Sequence, residues 1–172
     1  MITESLQTKD IFALIDEPVS ELLNVLSSQS ETNINTVPFD DSWTAAQVAD
    51  HITKSTSSIA KAMNIESTPT HRDPGERIQE LKKMFLNFEV KFTSPEFILP
   101  SQDEYEKDTL IAKLSSAFEQ LKERANVVNL SGMITHPAFG DVTKLELLYF
   151  VLYHTKRHLR QVKNILLIVN NK

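Results

Sequence analysis

The chain has 172 residues, of which 41% are hydrophobic and 24% charged, a composition typical of one globular domain spanning 1–172 rather than of a disordered, fibrous or membrane-spanning protein. Eighteen Lys and Arg against twenty-three Asp and Glu give a net charge of −5, which disfavours nucleic acid as a partner because phosphate binding depends on a basic surface. The chain has no Cys, which excludes disulfides, thiolate catalysis by the protein, iron–sulfur clusters and Cys-ligated zinc.

The amino-terminal region carries too many charges for a signal peptide. The longest apolar runs, 11–15 and 165–169, are far shorter than the ~20 residues of a membrane-spanning helix. We therefore expect a soluble, cytoplasmic protein with no membrane partner.

The first two predicted helices are separated by a polar loop over 27–41. The first has apolar residues at helical spacing, namely Ile11, Ile15, Leu22 and Leu26, and we expect Pro18 to kink or split it. The second repeats Val48, Ile52, Ile59 and Met63 on one face. Ser42 is the predicted N-cap of this second helix, and Trp43 is expected to anchor its start.

Three further segments complete the pattern. A third helix is predicted from the spacing of Ile78, Leu81, Phe85, Phe88 and Phe92, with the phenylalanines in the core. A fourth, of about twenty residues, runs from Leu110 to Val128, and the last runs from Thr143, which forms a capping box with Glu146, to about Val169. No stretch alternates with period two, so the sequence predicts an all-α bundle of four main helices plus a shorter one.

Two histidines stand four residues apart on the last predicted helix. His154 and His158 therefore lie one above the other on one face, within an inward-facing stripe that also includes Leu147, Val151 and Gln161. Such a pair can converge on one metal ion. His51 lies at the edge of the apolar stripe of the second helix, so packing of the two helices would complete a three-His site with an open position.

A second interpretation stays open from spacing alone. Each histidine could instead be a core residue whose ring is satisfied by a backbone carbonyl or by Gln161. His136, in the loop before the last helix, would line the mouth of a cleft or serve as a turn residue. Arg157 and Arg160 flank His158 and would either meet an anionic substrate or form a solvated face.

Three blocks of sequence carry a family resemblance: Trp43 to His51, the run His136-Pro137-Ala138-Phe139-Gly140, and Tyr153 to Gln161. Together they resemble the DinB-like family, including its YfiT-like metal-dependent hydrolases. The resemblance implies a four-helix bundle with up-down-down-up connectivity. It also implies that a His of the second helix and the H-x-x-x-H pair of the last helix hold a metal, and His51, His154 and His158 match those positions.

The resemblance also indicates the chemistry to expect. It implies a divalent ion, nickel or zinc first and manganese or iron next, and either hydrolysis or transfer to a low-molecular-weight thiol such as bacillithiol or glutathione. The substrate would be a small molecule, and homodimerisation is compatible with the family. The alternative is a metal-free bundle that binds a small molecule or a protein partner.

Overall fold

The computed structural model describes residues 2–172, with side chains from residue 8 onward. The helices and strands follow one another along the chain as α1 Ile2–Ser27, α2 Glu31–Asn35, α3 Ala45–Ala62, α4 Ile78–Leu86, a 3-10 turn Glu96–Ile98, α5 Lys107–Ala125, β1 Met133–His136, β2 Gly140–Thr143 and α6 Lys144–Asn170. The four long helices α1, α3, α5 and α6 pack around one apolar core, so the predicted four-helix bundle is confirmed.

Contacts between helix ends give the directions of the four helices. Lys144 at the start of α6 donates to the carbonyl of Met63 at the end of α3, so these two helices are antiparallel. Arg124 near the end of α5 donates to the carbonyl of Ala60 near the end of α3, so α3 and α5 are parallel. Asn33, shortly after α1, binds Asn170 at the end of α6, so α1 and α6 end at the same side. The connectivity is therefore up-down-down-up.

The core confirms the apolar stripes. Ile11, Ile15, Leu22 and Leu26 of α1 are fully buried, as are Val48 and Ile52 of α3. The helix continues through Pro18, which is itself buried, so this proline does not split α1. Within the described part of the chain, no helix combines the length and the apolarity that crossing a membrane requires.

The start of α3 differs from the prediction. The N-cap is Thr44, whose hydroxyl accepts from the backbone N–H of Gln47 while the Gln47 side chain accepts from the N–H of Thr44. Ser42 instead donates to the carbonyl of Trp43. The reciprocal pair at positions 44 and 47 satisfies two free helix donors, which Ser42 cannot do from its position.

The third helix is shorter than predicted, because α4 ends at Leu86. Phe88 and Phe92 lie beyond it and are 44% and 46% exposed, so only Phe85 of the three phenylalanines belongs to the core. Arg157 of α6 donates to the carbonyls of Phe85 and Asn87. These carbonyls at the end of the helix therefore have a partner without a further helical turn.

A two-stranded antiparallel hairpin, β1 and β2, occupies part of the segment expected to be a loop. Its strands are four residues each, too short for a period-two pattern to be recognised. Gly140, the first residue of β2, has φ +66, a backbone conformation that favours glycine. The capping box of Thr143 and Glu146 at the start of α6 is confirmed.

Candidate metal centre

The bundle brings His51 of α3 together with His154 and His158 of α6. The three Nε2 atoms form a triangle in which every edge is 3.1 Å. The two histidines of α6 are one helical turn apart and so present their rings on one face. Among the residues that the structure describes, these three form the one group of His, Asp and Glu side chains arranged so that it could hold a metal ion.

The rings lie in an environment that keeps them neutral. His51 and His154 are only 1% and 6% exposed, and His158 is half-buried. Burial lowers the pKa of all three imidazoles: the pKa of His154 lies well below its usual value, and the pKa of His158 falls to about 3, with His51 contributing further. A neutral imidazole keeps the lone pair that binds a metal.

The opposite ring nitrogens fix which nitrogen carries the proton. The Nδ1 of His51 lies 2.9 Å from the carbonyl oxygen of Ile98, and the Nδ1 of His158 lies 2.7 Å from Oε1 of Gln161. Both oxygens only accept, so both Nδ1 atoms carry hydrogen and both Nε2 atoms carry a lone pair. Such outer hydrogen bonds are typical of metal-ligating histidines.

The triangle fits a divalent ion on two grounds. First, the Nε2 lone pairs of His51 and His158 face each other at 3.1 Å with no proton between them, an arrangement that a cation would stabilise. Second, zinc–nitrogen bonds of about 2.0–2.1 Å in tetrahedral geometry separate their nitrogens by about 3.3 Å, close to the observed edges. Three histidine ligands would also leave a fourth position free for water or substrate, as catalytic rather than structural sites do.

Aromatic side chains surround the histidines. The ring of Trp43 lies 5.2 Å from that of His51, which gives this residue a place beside the site as well as at the start of α3. Phe150 lies 5.0 Å and Phe85 lies 6.2 Å from the ring of His154. These rings make the surroundings of the three histidines apolar, which strengthens electrostatic interactions inside the site.

The remaining residues proposed from sequence have other contacts. Arg157 binds backbone carbonyls at the C-terminal end of α4 and lies over the Phe92 ring, while Arg160 lies 4.4 Å over the ring of Phe88. His136 is buried in the hairpin, stacks on Phe139, and accepts through Nδ1 from the N–H of Ala138. The structure therefore joins Gln161 to the three histidines but leaves His136 outside their triangle.

Sequence reasoning did not identify Ile98 as the group that holds His51. The contact uses a main-chain carbonyl, 47 residues away along the chain, and a carbonyl gives no residue-type signal. The sequence feature that accompanies this contact lies on α3, where Gln47 and Lys54 stand on the same face of the helix as His51. Both donate to carbonyls in the segment that follows Ile98.

The up-down-down-up bundle and the three converging imidazoles define a class of helical protein with a candidate mononuclear metal centre. The model of one family, described as the DinB superfamily, matches residues 15–162. This match covers most of the chain, and the chain belongs to the DinB superfamily, as the sequence resemblance predicted.

Two individual proteins are similar to this chain. The uncharacterized protein YuaE of Bacillus subtilis (strain 168) is 26% identical over 158 residues, which cover 89% of this chain and 95% of YuaE. The crystal structure of TT2238, a four-helix bundle protein, has a TM-score of 0.59 and 18% sequence identity, and the likeness covers 91% of this chain and 98% of that one. The structural likeness supports the fold.

Proposed function

We propose that the protein is a mononuclear metal-dependent enzyme that acts on a small molecule by hydrolysis or by transfer to a low-molecular-weight thiol. The observation that carries the proposal is the triangle of Nε2 atoms at 3.1 Å, two of which must carry lone pairs because their Nδ1 atoms donate to oxygen. A buried cluster of neutral imidazoles has no evident packing advantage over apolar side chains.

Each residue of the site has a distinct task in this proposal. His51, His154 and His158 would hold the ion, while Gln161 and the carbonyl of Ile98 orient two of the rings. Trp43, Phe85 and Phe150 restrict water around the ligands. The ion would supply a positive charge that lowers the pKa of a water or thiol beside it.

The donor set narrows the choice of metal. Three neutral imidazoles suit zinc and nickel, and also iron, better than magnesium or calcium, which prefer oxygen. Manganese is less favoured by this set because it binds most weakly among the first-row divalent ions. Since the chain has no Cys, a thiol taking part in the reaction must arrive as a cosubstrate. The family and the absence of Cys are compatible with both reactions.

Elemental analysis of untagged protein, purified without chelator, tests the metal site. We expect about one transition-metal ion per chain in the parent protein, and little in His51→Ala or His154→Ala. His71→Ala is the matched control, because His71 is exposed and lies outside the triangle. A parent protein that takes up no zinc, nickel or manganese after loading would contradict the proposal and favour a metal-free binding module.

Activity assays on loaded protein then separate the two reactions. An activated ester tests hydrolysis, and an electrophilic alkyl halide with a small thiol tests transfer. We expect His154→Ala to abolish whichever rate exceeds the uncatalysed background, while His71→Ala retains it. Loaded parent protein that accelerates neither reaction on a broad panel of substrates would leave the metal site without the proposed chemistry.

A further inference from the structure

The segment 98–101, which we call the strap, lies along α3 and is fastened to one face of that helix. Gln47, His51 and Lys54 stand at positions i, i+4 and i+7, so all three donate from the same face. Their acceptors are the carbonyls of Ser101 at 3.1 Å, Ile98 at 2.9 Å and Leu99 at 2.8 Å, respectively. One donor of the three is the candidate metal ligand.

Asp50 of α3 supplies a further contact between the helix and the strap. Asp50 accepts from the backbone N–H of Ser101 at 3.1 Å and from the hydroxyl of Tyr105 at 2.7 Å. It also forms an ion pair with Lys54 at 2.9 Å. Asp50 therefore binds the strap at Ser101, Lys54 binds it at Leu99, and the two side chains bind each other.

Apolar packing and polar contacts together position the strap. Ile98 and Pro100 are buried, whereas Leu99 between them is 42% exposed. Burial holds the strap against the bundle but does not by itself fix the direction of a carbonyl group, because the hydrophobic effect has no directional preference. The hydrogen bonds at Leu99 and Ser101 supply that direction for the backbone that carries the Ile98 carbonyl.

We propose that Asp50 and Lys54 are positioning residues for the metal centre, which they serve by fastening the strap so that the Ile98 carbonyl fixes the ring of His51. The proposal rests on the proposed function, because it assigns the orientation of a proposed ligand. An accepting oxygen at Nδ1 keeps the proton there and leaves Nε2 free toward His154 and His158. Without the strap, the proton can move to Nε2 and block the lone pair.

The experiment compares two matched double variants of the full-length protein. Asp50→Ala/Lys54→Met removes the fastening, whereas Asp16→Ala/Lys122→Met removes an ion pair of the same residue types and the same 2.9 Å length between α1 and α5. Lys54→Met alone is the milder version. Zinc affinity is measured by competition with a chelating dye, and long-range proton–nitrogen NMR spectra of metal-free protein report which nitrogen of His51 is protonated.

We expect the strap variant to bind zinc at least 10-fold more weakly and to show His51 as a mixture of tautomers. The control variant should keep the parent affinity and the Nδ1-protonated form. An unchanged His51 spectrum in both strap variants would overturn the proposal. An unchanged zinc affinity in folded strap variants would also overturn it.

Failure of the proposed function has a different signature. If the parent protein binds no zinc, the metal-site proposal fails, but the NMR spectra still decide whether the strap fixes the His51 tautomer. If the parent binds zinc and the strap variants bind it equally well, the metal site stands and the positioning role of Asp50 and Lys54 is wrong. Melting temperatures of both double variants identify any general loss of fold.

Discussion

Gln161 shows how one polar side chain can set the properties of a buried histidine. Its Oε1 accepts from the Nδ1–H of His158 at 2.7 Å, across one turn of α6. Since burial lowers the pKa of His158 to about 3, the ring remains neutral near pH 7, and Gln161 decides which of its nitrogens is free. The orientation of a candidate ligand thus depends on a residue outside the triangle of three histidines.

The first prediction concerns this residue. We expect Gln161→Leu to weaken zinc binding by about 10-fold or more, because the Nδ1–H of His158 loses its acceptor and the ring loses its fixed orientation. Gln120→Leu is the control, since Gln120 is exposed on α5 and its side chain donates to the hydroxyl of Ser116, away from the three histidines. Competition titration with a chelating dye measures both. Equal affinities for the two variants would contradict the assigned role.

Glu146 is a fully buried carboxylate near the hairpin. It accepts from both terminal nitrogens of Arg72 at 2.7 and 2.8 Å and from the backbone N–H groups of Arg77 and Thr143 at 2.9 Å each. Burial by itself raises the pKa of Glu146, but these hydrogen bonds outweigh burial, so its pKa in the folded protein lies below 4.5. The ionised form therefore stabilises the fold.

The lowered pKa of Glu146 makes the stability of the fold depend on pH. A depressed folded pKa gives stability that is present above the unfolded value of about 4.5 and is lost as the pH falls through the folded pKa. We expect Glu146→Gln to lower the free energy of unfolding by about 2–3 kcal/mol near pH 7, because the Arg72 guanidinium loses its charged partner. The difference from the parent protein should shrink below pH 4.5.

Urea unfolding at several pH values checks this prediction. Glu119→Gln is the control, because Glu119 is an exposed partner of Lys122 and its removal should change the unfolding free energy by less than about 1 kcal/mol. A deficit of Glu146→Gln that stays constant down to pH 3 would show that the charge on Glu146 is not what stabilises the fold.

Among the helices, α3 has a start that sets the position of His51. Thr44 and Gln47 close a capping box, and His51 follows two turns after the cap. Gln47 also donates to the carbonyl of Ser101, so one side chain takes part in both the cap and the strap. The position of His51 therefore depends on the cap at the N-terminus of α3, two turns away on the same helix.

The third prediction separates the observed cap from the one that the sequence suggested. Thr44→Ala should lower the unfolding free energy by about 1 kcal/mol, because a helix N–H loses its acceptor. Ser42→Ala should have a much smaller effect, since the Ser42 hydroxyl donates to the carbonyl of Trp43 and accepts from no N–H of the first turn. Urea unfolding of the two variants compares them, and equal losses would contradict the capping assignment.

Across the molecule as a whole, the candidate metal centre joins α3 to α6, two antiparallel helices that belong to different halves of the chain. A ligand that binds the folded chain and not the unfolded chain stabilises the fold by mass action. The three imidazoles come together only when α3 packs on α6, because 103 residues separate His51 from His154. Binding of a metal at this centre would consequently be linked to global stability.

The fourth prediction uses this linkage. Zinc at a free concentration 100 times its dissociation constant should add about 2.7 kcal/mol to the unfolding free energy and raise the melting temperature by about 5–10 °C. A chelator should reverse the shift, and His154→Ala should show none. A zinc-dependent shift of the same size in His154→Ala would place the binding outside the triangle.

The four-helix bundle and the identity of the three clustered histidines follow from the amino-acid sequence. Apolar periodicity over long segments specifies which helix faces are buried, and residues four apart on a helix must share a face. Spacing therefore pairs His154 with His158, and the likeness of the block around His51 to a known family adds the third member. The Thr143 and Glu146 capping box is equally local, and the sequence predicts it correctly.

Features that depend on contacts between distant segments follow from the tertiary structure and not from local sequence. The end of α4 at Leu86 is stabilised by Arg157, 70 residues beyond Asn87, and the hairpin depends on pairing that four-residue strands do not indicate. The carbonyl of Ile98 reaches His51 because the strap is fastened by Asp50 and Lys54. Backbone carbonyls are the same at every residue, so their partners are set by packing and not by residue type.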